Sequence, residues 1–398
     1  MDHNTSDSFP SIALVLHSNI LWGSGVEKTA LYYIIYIPKE IKNITFVQTN
    51  ISDKDKKGIR LDESYLDVIK KKCNVINIKS DYNKIEASIA NFPILFRYLV
   101  YYPSLIFLRF TVYRKIYDKI GRPDIVYLFR NDLSFFFDKS VFMVGSTHGW
   151  YPQNNNFLRK INKLTALIFR NKISAYHSFP IWAKGVKDMF PDKDVLVVPS
   201  GVETNLIKPI ISQNKKIKFL YVARLERCKG ILTLIDAWDI YKGNNDIELN
   251  IVGGGSLEDE IKDKISNMKN VFYHGIVNQN ELYRIYGESD IFVYPSTCDT
   301  FALVILEALS AGCHVITNDR FKGYFKEFEE IGAITFCEPH SDSYVKAIEK
   351  SIKEIEFIRA KKNELHKTAV KFYDWNNVVK KLYDEIITSY KKKINLDK

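Results

Sequence analysis

Apolar residues in this chain gather in short unbroken runs, each bounded by turn residues, and longer stretches with helical spacing separate them. A short unbroken apolar run predicts a strand buried on both faces, as in a parallel sheet, because a half-solvated strand would alternate. In the first half, residues 12–17, 44–48, 75–78, 125–129 and 141–145 read as strands, with a glycine-containing turn and a helix over 28–37 after the first. In the second half, residues 218–222, 248–252, 271–274, 291–294 and 314–317 repeat the pattern. Strands alternating with helices twice over predict an α/β chain of two doubly wound units. Between them, residues 206–216 hold Pro209 and the polar run SQNKK and read as a linker.

Length agrees with two units. At 398 residues and 46% hydrophobic content, the chain is too long for one ordinary core and apolar enough for two. Its five cysteines, Cys73, Cys228, Cys298, Cys313 and Cys337, are odd in number and form no CxxC pair. That argues against a disulfide framework or a zinc site, and suits a reducing cytoplasm. The opening MDHNTSDSFPSIALVLHSN lacks the basic and long apolar regions of a signal peptide, so no export is expected.

The formal charge of +10 changes the picture by asking for an anionic partner. No nucleic-acid-binding motif accompanies it and the basic residues are scattered among acids, so no nucleic acid is expected. Residues 91–119, NFPILFRYLVYYPSLIFLRFTVYRKIYDK, mix aromatic and aliphatic side chains with Arg97, Arg109, Arg114 and Lys115. The uncharged run 98–108 is far short of the roughly 20 residues that cross a bilayer. The segment reads either as an interfacial anchor on an anionic membrane surface or as a buried hairpin of core helices.

In doubly wound sheets ligands gather outside the carboxyl ends of the strands, and the motifs fall there. WGSGVEK, residues 22–28, follows the first strand; Gly25 and its neighbours either let backbone approach an anion or form a plain tight turn. It is a poor dinucleotide fingerprint, lacking the third glycine. YVARLERCKG, residues 221–230, follows the opening strand of the second unit. There Arg224 and Lys229, five apart on one loop, can converge on one pair of phosphates, although two loop cations also fit a solvated surface. IVGGGSLEDE places Gly253 to Gly255 between a strand and a helix, for close backbone approach or for a turn.

DTFALVILEALSAG, residues 299–312, reads as a helix from about Thr300, with Asp299 and Thr300 capping it and Gly312 ending it. Glu307 lies inside its apolar run and needs a partner there, either a buried cation or a ligand. At about 1.5 Å rise per residue, Asp299 and Glu307 lie roughly 10 to 12 Å apart along the axis, about the span of a sugar diphosphate nucleoside. On the ligand reading Asp299 holds sugar hydroxyls and Glu307 the ribose hydroxyls. The free amides of Thr300, Phe301, Ala302 and Leu303 hold phosphate oxygens.

Taken together these stretches resemble glycosyltransferase family 4, the group 1 glycosyl transferases, over residues 12–375. ARLERCKG resembles that family's arginine and lysine diphosphate clamp and DTFALVILEALSAG its E-x7-E segment. GIVNQNEL, with Val277, resembles its base-contacting turn, and VPSGVET its interdomain stretch. STHGW, residues 146–150, stands where the family carries a histidine at the donor sugar, which makes His148 a candidate. YDWNN, residues 373–377, matches its carboxyl-terminal segment.

The resemblance implies the GT-B fold, two Rossmann-like domains facing a central cleft. It places an acceptor-side domain at 1–210, a donor-binding domain at 211–375, and a terminal helix with basic tail, 376–398, crossing back to the first. It implies retaining transfer of a hexose from a UDP- or GDP-hexose, with Arg224, Lys229, His148 and Asp299 at the reacting centre and Gly25, Gly253, Val277, Thr300, Phe301, Ala302, Leu303 and Glu307 around the donor. No metal and no cofactor are implied. With the charge and the 91–119 segment, the expected acceptor is a lipid-linked glycan or glycolipid, reached by a cytoplasmic enzyme peripheral on the inner membrane face. Asp299 departs from the usual glutamate, Ala302 from a common glycine, Ser24 from glycine and His314 from proline. A nucleotide-sugar epimerase of the same fold and a non-catalytic sugar-nucleotide-binding protein are the rival expectations.

Overall fold

The computed structural model describes residues 9–17, 20, 25–49, 64–78, 112, 114–147, 170–211, 216–241, 246–299 and 301–396. Most of the aromatic and basic segment, residues 91–111 and 113, lies outside them. The chain divides into two compact units, one of Met1–Pro199 with Val378–Lys398, the other Ser200–Asn377.

The first unit is built on seven parallel strands: β1 (Ile12–Leu16), β2 (Ile44–Gln48), β3 (Asn74–Asn77), β4 (Ile125–Leu128), β5 (Phe142–Ser146), β6 (Ala175–Ser178) and β7 (Asp194–Val197). Their spatial order is β3-β2-β1-β4-β5-β6-β7, so the sheet winds outward in both directions from β1 and β4. Every residue of β1, β4, β5 and β6 is buried, as unbroken apolar runs require of strands covered on both faces. Helices α1 (Gly25–Ile35), α2 (Ser64–Lys72) and α3 (Pro180–Met189) belong to the covering layers. Strands β6 and β7 escaped the hydrophobic reading. The first, AYHS, buries His177 and Ser178, and the second, DVLV, opens on Asp194. His177 is satisfied inside the core by the Tyr127 hydroxyl at 2.7 Å and the Val198 carbonyl at 3.1 Å.

The second unit repeats the design with six parallel strands: β8 (Ile217–Val222), β9 (Ile247–Val252), β10 (Val271–Gly275), β11 (Ile291–Tyr294), β12 (His314–Asn318) and β13 (Ile334–Cys337). Their order is β10-β9-β8-β11-β12-β13, so the topology switches between β8 and β11. Helices α4 (Ile231–Tyr241), α5 (Glu258–Ile265), α6 (Gln279–Glu288), α7 (Leu303–Ser310), α8 (Lys326–Glu330), α9 (Ser341–Lys353) and α10 (Ile355–Tyr373) complete it. Ile207, expected in the linker, already packs in the second core, and so does Val202, expected in the first domain, whose amide donates to the Tyr373 carbonyl at 2.8 Å. Gly201 sits flat against Trp375, where a Cβ would come within 2.4 Å of the indole.

The last helix, α11 (Trp375–Leu396), begins in the second unit and from Val378 counts with the first. There the Tyr383 hydroxyl donates to the Tyr33 carbonyl at 3.3 Å, and Ser389 and Lys392 both reach the Asp194 carboxylate, at 2.8 and 3.1 Å.

Candidate functional site

The candidate site gathers at the carboxyl ends of β8, β9 and β11, which are neighbours in the second sheet. From β8 the chain runs through Arg224 into a short 3-10 turn, Arg227–Lys229, and then into α4. Gly230 joins turn to helix with φ +76°, and a Cβ there would strike the Pro295 carbonyl oxygen at 2.4 Å. Only glycine allows the two loops to approach so closely. Two of the three glycines after β9, Gly253 and Gly255, serve the same end. Gly253 has φ +135°, and a Cβ would fall 1.8 Å from the Ala223 carbonyl oxygen; the Leu225 amide donates to the Gly254 carbonyl at 3.0 Å. What the glycine loop approaches is therefore the backbone of the Arg224 loop.

Lys229 is buried, and its ammonium donates to Asp299 Oδ1. The other oxygen of that carboxylate, Oδ2, accepts from the hydroxyls of Tyr294, at the end of β11, and Ser296, the latter at 2.7 Å. Burial pushes the Asp299 carboxyl up, but the hydrogen bonds from Lys229, Tyr294 and Ser296 outweigh it and hold the group below its ordinary range. The Tyr294 phenol is driven far upward, by burial first and then by the Asp299 charge, so it stays a donor. Arg224 contrasts with Lys229. Its side chain is 72% exposed and pairs with Glu226 at 2.5 Å. One cation is thus fixed in the protein and the other is free to reorient at little cost.

The Asp299 stretch corrects the expected helix start. Helix α7 begins at Leu303, its N-cap is Ala302, and no side chain caps it. Asp299 cannot cap because its carboxylate is turned toward Lys229, Tyr294 and Ser296. The Leu303 amide, expected to be free, donates to the Phe301 carbonyl at 3.1 Å, because the chain is still bending there. Phe301 packs against Tyr324 and Phe325, and Ala302 is buried in the second core. Gly312, at φ +83°, follows the end of the helix as expected.

Glu307 lies on the half-buried face of α7 with Val304, and its Oε2 accepts from the Tyr286 hydroxyl at 3.1 Å. A tyrosine of α6 is thus one partner of this acid inside the apolar run. Burial and the Glu307 charge together push the Tyr286 phenol well up. Val277 is half-buried in the turn between β10 and α6, where Asn278 caps α6 by accepting the Glu281 amide at 3.0 Å. Gly25 opens α1 in the first unit. His148 and Thr300 lie outside the described residues, as do residues 22–24 of the first glycine turn.

The cysteine reading needs correction too. Cys228 and Cys298, 70 positions apart in sequence, form a disulfide with Cα atoms 5.6 Å apart. The odd count required one unpaired cysteine and said nothing about the other four. Cys73, Cys313 and Cys337 are free and buried. Tyr294, Ser296 and Tyr286 were also missed. Their types carry no signal by themselves, and only the fold shows that each hydroxyl faces a recognised acid.

Residues 202–371, nearly the whole of the second unit, match the family described as Glycosyl transferases group 1. The chain carries a group 1 glycosyl transferase domain. Relatives include an uncharacterized glycosyltransferase of Methanocaldococcus jannaschii, 26% identical over 219 residues, which are 50% of this chain and 55% of the relative. A phosphatidylinositol N-acetylglucosaminyltransferase component of Arabidopsis thaliana is 26% identical over 258 residues, 63% of this chain and 57% of the relative. The matches thus span little more than half of those relatives' lengths. In fold, sucrose-phosphate synthase of Thermosynechococcus elongatus superposes with a TM-score of 0.68 at 13% identity, covering 96% of this chain and all of that one. HepE of Anabaena, in complex with UDP and glucose, gives 0.64 at 14% identity, covering 95% and 99%. Two parallel-sheet α/β domains with these neighbours are a GT-B fold. The group 1 domain holds Arg224, Lys229, Asp299 and Glu307.

Proposed function

We propose that this chain is a retaining glycosyltransferase that moves a hexose from a UDP- or GDP-hexose to a lipid-linked glycan or glycolipid. The observation that carries the reading is the buried Lys229, paired with Asp299 where β8 and β11 end, beside an exposed Arg224 on the same loop. A glycosyl donor leaves as a nucleoside diphosphate, and preorganised positive charge on that leaving group lowers the barrier most. In the transfer, the bond from the anomeric carbon to the diphosphate oxygen breaks and a bond to the acceptor oxygen forms on the same face of the sugar. The acceptor proton passes to a phosphate oxygen of the departing diphosphate. Lys229 and Arg224 stabilise the charge that develops there. Asp299 holds the Lys229 ammonium in place, and Glu307 takes the ribose hydroxyls.

The donor reading is supported by the UDP and glucose in the HepE complex, and the acceptor reading by the name of the phosphatidylinositol N-acetylglucosaminyltransferase relatives. We place the enzyme on the cytoplasmic face of a membrane as a peripheral protein. No helix among the described residues is long and apolar enough to cross a membrane. Arg114 and Lys115 are exposed while Val112 and Ile116, beside them, are buried in the first core. The test is incubation with radiolabelled UDP- and GDP-hexoses, with and without extracted lipids. Label moving into the lipid fraction supports transfer. Release of an altered free sugar without acceptor would make the protein an epimerase, and binding alone would make it a non-catalytic nucleotide-sugar protein.

A further inference from the structure

The two cysteines of the bonded pair flank the ion pair of the candidate donor site: Cys228 precedes Lys229 and Cys298 precedes Asp299. We infer that Cys228 and Cys298 are positioning residues of the donor site, and that their exchange between dithiol and disulfide sets how tightly the site holds a nucleoside diphosphate. The inference rests on the nucleotide-sugar reading of that site.

Three observations carry it. The pair joins the two segments that bear Lys229 and Asp299, which also meet through the Thr297 amide and hydroxyl and the Ser296 hydroxyl on the Cys228 carbonyl, at 2.8, 3.2 and 3.4 Å, through the close approach of Gly230 to Pro295, and through the side chains themselves. Cys298 is exposed and Cys228 half-buried, so both can be reached from solution. The other three cysteines are buried, and burial pushes their thiols up, to about 12 for Cys73 and Cys313 and about 11 for Cys337, which makes them poor nucleophiles.

The chemistry is exchange with a small disulfide of the glutathione class. The exposed Cys298 thiolate attacks one sulfur of RSSR and expels RS⁻. The Cys228 thiolate then attacks the mixed disulfide and expels a second RS⁻. Two cysteine thiols and one RSSR give one protein disulfide and two RSH, the two cysteine protons ending on the released thiolates. The bonded form holds the Lys229 and Asp299 segments at a fixed spacing before the ligand arrives, so less ordering remains to be done on binding. The dithiol form leaves that ordering to be done.

The test uses the whole chain, oxidised with glutathione disulfide or reduced with dithiothreitol, titrated calorimetrically with UDP and with GDP. The bonded form should bind the preferred nucleotide at least fivefold more tightly than the dithiol form. Re-oxidation should restore the affinity. The Cys228→Ser/Cys298→Ser variant, and Cys298→Ala at the exposed position alone, should bind like the dithiol form under both treatments. Hydrogen exchange should quicken on reduction in the peptides bearing Lys229 and Asp299. Failure to recover a linked 228–298 peptide after oxidation would overturn the inference. So would affinities equal within twofold in the two forms, or a redox response that survives both substitutions. If neither form bound UDP or GDP, the nucleotide-sugar reading itself would fall, and this coupling with it.

Discussion

Lys229 and Asp299 lie 70 residues apart in sequence yet share a hydrogen bond, because the strands that deliver them, β8 and β11, are neighbours at the point where the sheet reverses its order. With side chains 10% and 20% exposed, neither group is solvated as a loop charge would be. Lys229→Ala should therefore lower turnover by about 10² or more, the scale of removing one preorganised charge from a transition state. Arg224→Ala should do the same while leaving the melting temperature unchanged, since its side chain is on the surface. Turnover within twofold of the parent in both variants would remove the clamp assignment.

For Glu307 the expected effect is on binding. Glu307→Gln should weaken donor affinity by about 1 to 3 kcal/mol, the scale of a lost charged hydrogen bond. Tyr286→Phe removes one donor from the same carboxylate and should have a smaller effect of the same sign. Calorimetric titration of both variants, alongside their melting temperatures, separates a ligand-binding acid from a structural one. A lower melting temperature with unchanged donor affinity would show that Glu307 serves the fold alone.

Much of this was legible in the sequence, for identifiable reasons. Strands such as β1 and β11 are apolar throughout because both their faces are covered, and a run of that kind announces itself. Strand β6 does not, since it carries His177 into the core on hydrogen bonds to Tyr127 and Val198 that only the fold reveals, and Ser178 on a bond to the Phe179 carbonyl. The cations and acids of the site stood out by type and spacing, but their pairing did not. Asp299 looks like a helix cap until β8 brings Lys229 beside it, and Cys228 finds Cys298 through the same adjacency.

Two buried histidines give the fold a pH dependence of known sign. Burial holds His177 down to about 4, and burial with the Lys350 and Lys361 charges holds His314 there too, against an ordinary value of 6.5. Between those values the unfolded chain binds more protons than the folded one, so this contribution is complete above 6.5 and is lost as the pH falls toward 4. Each histidine contributes on the order of 1 to 3 kcal/mol across that window. Urea unfolding at pH 7, 6 and 5 should show falling stability, with a shallower fall in His314→Asn. Stability constant from pH 7 to 5 would contradict the assignment.

Asp290 anchors α10 to the second sheet. It accepts from Arg359 at 2.9 and 3.2 Å, from Lys362 at 3.3 Å and from the Lys218 amide at 3.2 Å, and both Asp290 and Lys362 are buried. Removing the carboxylate strands a buried ammonium, so Asp290→Ala should cost about 3 to 5 kcal/mol. The double change Asp290→Ala/Lys362→Met removes both charges and should recover a good part of that loss. A double variant no more stable than the single one would show that the uncompensated charge is not the cause.

The proposed membrane site makes a prediction that depends on salt. The chain carries a formal charge of +10, and Arg114 and Lys115 are exposed on a segment whose Val112 and Ile116 face the first core. Each basic residue near an anionic leaflet contributes about 1 kcal/mol, and that attraction decays over a Debye length of about 10 Å at 0.1 M salt. A peripheral enzyme should then sediment with phosphatidylserine-containing vesicles at about 50 mM salt and be released progressively toward about 500 mM. Reversing Arg109, Arg114 and Lys115 to glutamate should weaken binding at low salt, with the melting temperature as a check that the first core survives. Apolar insertion alone would leave binding insensitive to salt. If anionic vesicles bound no protein at about 50 mM salt, the membrane placement would fail, and a soluble glycan or protein acceptor would replace the lipid in the proposed reaction.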